Sequence, residues 1–112
     1  MRKKYKVEIL PAAWEDLRNI GEYIAQDDVA AAGRVVGKLI ASLRRLEQFP
    51  LSAPTVSDAE MSEQGYRALV CDKYLCFYRL VDETVFVYHI SHGARNYPSI
   101  FGRLCSEKDD AE

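Results

Sequence analysis

Glycine, proline and cysteine are scarce in this chain, which has six, four and three of them among 112 residues. So little glycine and proline excludes a collagen-like or low-complexity polypeptide. Three cysteines, Cys71, Cys76 and Cys105, are an odd count that argues against a disulfide framework and for the reducing cytoplasm. No apolar run approaches the roughly 20 residues that cross a bilayer. The basic start Met1-Arg2-Lys3-Lys4 has no apolar stretch behind it, so neither a membrane span nor a signal peptide is expected. A large charge of one sign is also missing: the net charge is -2 and the pI about 5.7. The last six residues hold four acids and one base, leaving 14 bases against 13 acids in the body. That balance does not advertise a phosphate-binding surface. The expected organisation is one domain over residues 1–104 and an acidic, disordered tail over 105–112.

What is present is periodicity. Tyr5, Val7 and Ile9 alternate with Lys4, Lys6 and Glu8 as in a half-buried strand. Pro11 ends it and suits the first turn of a helix. Trp14, Leu17, Ile20, Gly21 and Ile24 then recur at helical spacing up to Ala25, with Glu15, Arg18, Asn19 and Glu22 on the other side. Asp27 or Asp28 caps a second helix, whose apolar period runs from Val29 to Phe49 and stops at Pro50. So short a connection predicts an antiparallel helical hairpin. Residues 51–64 read as a loop, and strands are expected at 66–71, 74–81 and 84–91, separated by Asp72-Lys73 and Asp82-Glu83. The predicted fold is α+β, in the order β-α-α-β-β-β, with the helical hairpin packed on a mostly antiparallel four-stranded sheet.

Cys71, Cys76, His89 and His92 mimic zinc-finger spacing, but the histidines follow a strand-like run and are one residue too close. No metal and no cofactor are expected. Cys71 or Cys76 beside a histidine also lacks the orienting loop of a thiol nucleophile. His89 should share a face with Val85 and Val87, buried and hydrogen-bonded, while His92 lies past the strand. Cations and aromatics stand out in the C-terminal half: Tyr66-Arg67, Lys73-Tyr74, Tyr78-Arg79, and His92 with Arg95 and Tyr97. Such pairs grip phosphates, stack on bases or hold carboxylates. Whether Arg67 and Arg79 share a face is left open by their separate strands.

These marks have a family likeness. Pro11-Ala12-Ala13 with Asp16-Leu17, Tyr66-Arg67-x-Leu69-Val70, Phe77-Tyr78-Arg79 and His89-Ile90-x-His92-Gly93-x-Arg95 occur in order between about Lys4 and Phe101. In this the chain resembles the RelE/ParE superfamily of toxins from type II toxin–antitoxin (plasmid stabilisation) systems. The resemblance implies a helical hairpin on an antiparallel sheet, and a partly disordered antitoxin whose acidic segment meets the basic residues. It implies one of two activities: metal-independent mRNA cleavage on the ribosome in the RelE branch, or inhibition of DNA gyrase in the ParE branch.

RelE-like enzymes carry two bases on the first strand of the C-terminal sheet, an arginine on the next, another after the last strand and a tyrosine near the end. Here Arg67 and Arg95 match, while Leu69, Leu75 and Phe101 stand in the other three places. Arg67, His92 and Arg95 are thus the catalytic candidates of a ribonuclease with an incomplete set. The resemblance favours a ParE-like, non-nuclease toxin that binds its target or antitoxin through Arg67, Tyr74, Arg79, His92, Arg95 and Tyr97. A degenerate toxin that only binds antitoxin is the third expectation, and a chain purified alone is expected to be able to form a homodimer.

Overall fold

The computed structural model describes residues 4–56 and 58–92. Strand β1 (Lys6–Ile9) forms where the alternation lies, and Pro11 occupies the first turn of helix α1 (Pro11–Ala25). Proline's missing N–H costs nothing there, because that turn has no intrahelical acceptor. Helix α2 (Val29–Arg44) begins after Asp28, whose carboxylate accepts the Ala31 amide at 3.1 Å. The structure thus chooses between the two candidate caps, and Asp28 contributes about 1 kcal/mol. The period predicted to Phe49 ends sooner as α-helix. A 3-10 turn, Arg45–Glu47, carries Leu46 into the core, and Phe49 is left exposed.

The predicted loop over 51–64 contains a five-residue helix, α3 (Ala59–Glu63). Asp58 starts it by accepting the Met61 amide at 2.9 Å. One turn is too short to leave a helical period in the sequence. Strands β2 (Tyr66–Cys71), β3 (Tyr74–Val81) and β4 (Thr84–His92) stand where expected, β4 one residue longer. Asp72 and Asp82 open the two hairpin turns in the left-handed region, at φ 55 and 57. Aspartate enters that region more readily than most L-residues, so it replaces the asparagine usual there.

The sheet order is β1-β4-β3-β2, antiparallel except for the parallel β1–β4 pair. The architecture is the predicted α+β helical hairpin on a four-stranded sheet. On one face α1 and α2 bury Leu17, Leu39 and Leu43 against Cys76, Tyr78, Val85, Val87 and Ile90. The helices meet closely at Gly21, where a Cβ would stand 3.2 Å from Val36 Cγ2. On the other face Ala68, Leu75 and Phe77 pack with Val56 and Met61.

One irregularity shifts the expected alternation. Phe77 opposes His89 but Tyr78 opposes Val87, so Tyr88 is an extra residue in β4. Such a bulge re-aims the side chains on either side of it. His89 therefore does not continue the Val85–Val87 series. It lies at the strand's margin, with Nδ1 3.4 Å from Asp16 Oδ2 and its side chain 16% exposed. Among the described residues no helix is long and apolar enough to cross a membrane.

Candidate functional site

Strand register decides which of the predicted site residues meet. Arg67 stands opposite Tyr78, and Arg79 opposite Tyr66. Directly opposed residues share a face and successive ones alternate, so the two arginines lie on opposite faces of the sheet.

Arg67 is on the helix side, where its Nη1 donates to the Ala53 carbonyl at 2.6 Å. Burial pushes the Tyr78 hydroxyl up from its ordinary value, with the Ala53 backbone and the Arg67 charge pulling it partly back. The guanidinium thus ties the 51–56 segment to the sheet.

Arg79 is held by rings on the far face. Its guanidinium carbon lies 4.9 Å from the Tyr66 ring centre and 5.7 Å from that of Tyr88. Nη2 donates to the Tyr88 hydroxyl at 3.1 Å, and the two tyrosine rings are 5.3 Å apart. Its buried Nε has no hydrogen-bond partner among the described residues, so ring faces and one hydroxyl fix the cation.

Tyr74 and His92 come together as register partners, their rings edge to face at 5.3 Å. They line a cleft of about 920 Å³ with Asn19, Ile20, Tyr23 and Ile24 of α1, Val35 of α2 and the Asp72-Lys73 turn. Burial, with a smaller contribution from Tyr23, raises the Tyr74 hydroxyl above its ordinary value. Across one wall Lys38 Nζ lies 2.8 Å from Asp72 Oδ2, an ion pair that raises the lysine's pKa. Arg95 and Tyr97, together with Phe101, Cys105 and the acidic tail, lie outside the described residues.

The four residues of zinc-finger spacing are sent different ways. Cys71 accepts a hydrogen bond from the Ser42 hydroxyl at 3.3 Å, Cys76 is fully buried, His89 faces Asp16 and His92 faces Tyr74. Among the described residues no three potential metal ligands gather.

Two features escaped the sequence reading. Tyr23 is 74% exposed beside the cleft, off the apolar stripe that marks the buried face of α1. Trp14, expected on that face, is 51% exposed because the adjacent Ala13 and Leu17 carry the burial. It lines a second groove, about 520 Å³, along the α1–α2 hairpin with Gly21, Ala25, Ala32, Gly33 and Val36. An aromatic with small residues two and three turns further on, Gly21 and Ala25, was the signal available for it.

Solved structures share this fold. A chain of the chromosomal ParDE system from P. aeruginosa superposes with a TM-score of 0.68 at 17% identity, covering 81% of this chain and 98% of that one. A chain of the RelBE2 toxin–antitoxin complex from Mycobacterium tuberculosis gives 0.61 at 18%, covering 80% and 98%. A doubly substituted E. coli RelE toxin in the free state gives 0.62 at 14%, covering 93% and 97%. No curated protein matches the chain. The family described as the ParE toxin of the type II toxin–antitoxin system parDE matches residues 7–97, and the chain belongs to that family.

Proposed function

We propose that this chain is a ParE-like toxin that arrests growth by binding DNA gyrase and is neutralised by a cognate antitoxin. The observation that carries this reading is what fills the places where RelE-like ribonucleases keep bases. Leu69 packs against the helix-side core and Leu75 is fully buried under the far-face cluster. Neither can move a proton or hold a phosphate, and Arg67 is already spent on the Ala53 carbonyl. Membership of the ParE family supports the same branch. On this reading Arg79, Tyr74 and His92, with Arg95 and Tyr97, belong to binding surfaces and not to a reactive centre.

Two of the similar structures come from toxin–antitoxin systems by their own descriptions, which supports a cognate antitoxin here. The hairpin groove under Trp14 offers an apolar trough for a helix, the recognition mode in which spaced anchors enter a groove. The test is inducible expression without antitoxin, reading gyrase cleavage complexes and mRNA integrity together. Cleavage complexes with intact mRNA are expected.

One observation favours a second reading. His92 is exposed and close to Tyr74 and Lys73, a grouping able to exchange protons with a bound RNA. Codon-phased mRNA cuts in the same experiment, abolished by His92→Ala, would establish that ribonuclease instead. Harmless expression would leave an antitoxin-binding protein without toxicity.

A further inference from the structure

We infer that the outward face of α2, with the turn that follows it, binds the phosphates of duplex DNA independently of base sequence. Where that duplex is met rests on the gyrase reading above: it is the DNA that gyrase holds.

Charge is segregated along the helical hairpin. From Val29 to Leu46 the chain has four bases, Arg34, Lys38, Arg44 and Arg45, and no acid. Helix α1 carries Glu15, Asp16 and Glu22 against Arg18 alone. The net charge of -2 conceals this. Of the 15 bases, these four leave 11 for the rest of the chain, which carries all 17 acids. A molecule so divided turns its cationic side towards a polyanion.

All four bases are exposed, on one ridge with Gly37 and Ala41. From Arg34 to Arg45 the ridge runs about 16 Å at the helical rise. Lys38 is held by Asp72 at 2.8 Å, and Glu47, just past the ridge, lies 3.8 Å from Lys4. The side chains of Arg34, Arg44 and Arg45 have no hydrogen bond or ion pair among the described residues. The helix dipole favours a base at Arg44, in the last turn, but gives no reason for Arg34. Arg44 and Arg45 also line a hollow of about 390 Å³ with Ala41, Gln48 and Phe49. Two guanidinium forks and an amide around one hollow suit a phosphate, whose oxygens take paired N–H donors.

A duplex presents about one phosphate per 1.7 Å of its axis, so several fall within reach of the three arginines. Contacts of this kind carry no base information. The ridge is poorly made for other polyanions. An acidic peptide needs apolar anchors, and between Arg34 and Arg45 the exposed residues besides the bases are Gly37 and Ala41. A single strand needs a run of rings to stack on, and α2 has none, with Phe49 alone beyond its end.

The test is fluorescence anisotropy of the full chain on a labelled duplex DNA that spans the ridge, beside a gyrase cleavage-complex assay. The variants are the double substitution Arg34→Gln with Arg45→Gln and, as control, Lys6→Gln. Lys6 is exposed on the sheet face away from the helices, since its neighbour Val7 packs into the helix-side core. All three positions are exposed, so unfolding temperatures should match the parent's. Three phosphate contacts should weaken parent binding about twentyfold between about 50 and about 150 mM salt, and the one left in the double variant about threefold. Lys6→Gln should follow the parent, and cleavage complexes should fall in the double variant alone.

Equal duplex binding by the parent and the double variant, or the same loss in Lys6→Gln, overturns the inference. So does tighter binding to a duplex RNA of the same length, or equal displacement of the DNA by polyglutamate. A double variant that traps gyrase as well as the parent does overturns it too, while the gyrase reading stands. A parent chain that traps no gyrase yet binds duplex DNA through these arginines overturns the gyrase reading and supports the DNA-binding face.

Discussion

The Asp16 carboxylate of α1 accepts the backbone amide of Ile90 in β4 at 2.9 Å. Strand β1 runs alongside β4 only as far as Val87, and beyond that point no strand among the described residues pairs with β4's outer edge. Asp16 supplies the acceptor there, and the same oxygen lies 3.4 Å from His89 Nδ1. Removing the carboxylate leaves a partly buried N–H without its acceptor. Asp16→Ala should therefore cost about 1–3 kcal/mol. Asp16→Asn, whose amide oxygen still accepts, should cost less. Chemical denaturation measures both, and amide exchange at Ile90 should quicken in Asp16→Ala alone.

Arg67 and Arg79 should fail in different ways. Arg67→Ala breaks the bond to the Ala53 carbonyl and frees the 51–56 segment, so it should destabilise the fold by about 1–3 kcal/mol. Loss of toxicity in that variant should follow loss of folded protein. Arg79→Lys keeps the charge but loses the planar contact with Tyr66 and Tyr88. It should unfold near the parent temperature while growth arrest weakens. Equal toxicity per folded molecule in the parent and Arg79→Lys would remove the far face from the target surface.

Most of the fold was legible because most of its signals are local. Val7 and Ile9 alternate, Leu39 and Leu43 recur at helical spacing, and two-residue breaks at Asp72-Lys73 and Asp82-Glu83 define hairpins. The separation of Arg67 from Arg79 was latent in the same signal. A two-residue turn closing Cys71 against Tyr74 fixes every pair behind it, including Arg67 with Tyr78. The bulge at Tyr88 was not legible, since it leaves no mark on the Val85-Phe86-Val87 alternation. Nor was the cleft, whose walls come from Tyr23, Val35 and Tyr74, far apart in the chain. Sequence spacing carries the elements; the site depends on how they are laid together.

Cys76 should behave as hydrocarbon. Burial, reinforced by Cys71, pushes its thiol up to about 12 from an ordinary 9.0. At pH 8 only about one such thiol in ten thousand is ionised, and the thiolate is the reactive form. In a Cys105→Ser background neither Cys71 nor Cys76 should react with an aromatic disulfide reagent at pH 8 until the chain is unfolded. The sign of the pH dependence follows. Above about pH 9 the unfolded thiol loses its proton while the folded one keeps it, so this group lowers stability as pH rises towards 12. Rapid native labelling of both thiols would contradict the buried placement.

Gly33 and Gly37 of α2 separate helix stability from partner binding. A Cβ added at either position meets nothing within 4 Å, unlike one at Gly21. Alanine restricts the unfolded chain and favours helix, so Gly33→Ala and Gly37→Ala should each stabilise the fold by up to about 1 kcal/mol. Their surroundings differ. Gly33 lines the hairpin groove beside Ala32 and Val36, whereas Gly37 is not among its described lining residues. A methyl group at Gly33 narrows the trough that a partner helix would enter, and one at Gly37 leaves it open. Both variants should therefore melt at higher temperature than the parent, while only Gly33→Ala binds the antitoxin more weakly. Equal affinity in the two would take the docking helix out of this groove, because the stability gain they share cannot account for a difference in binding.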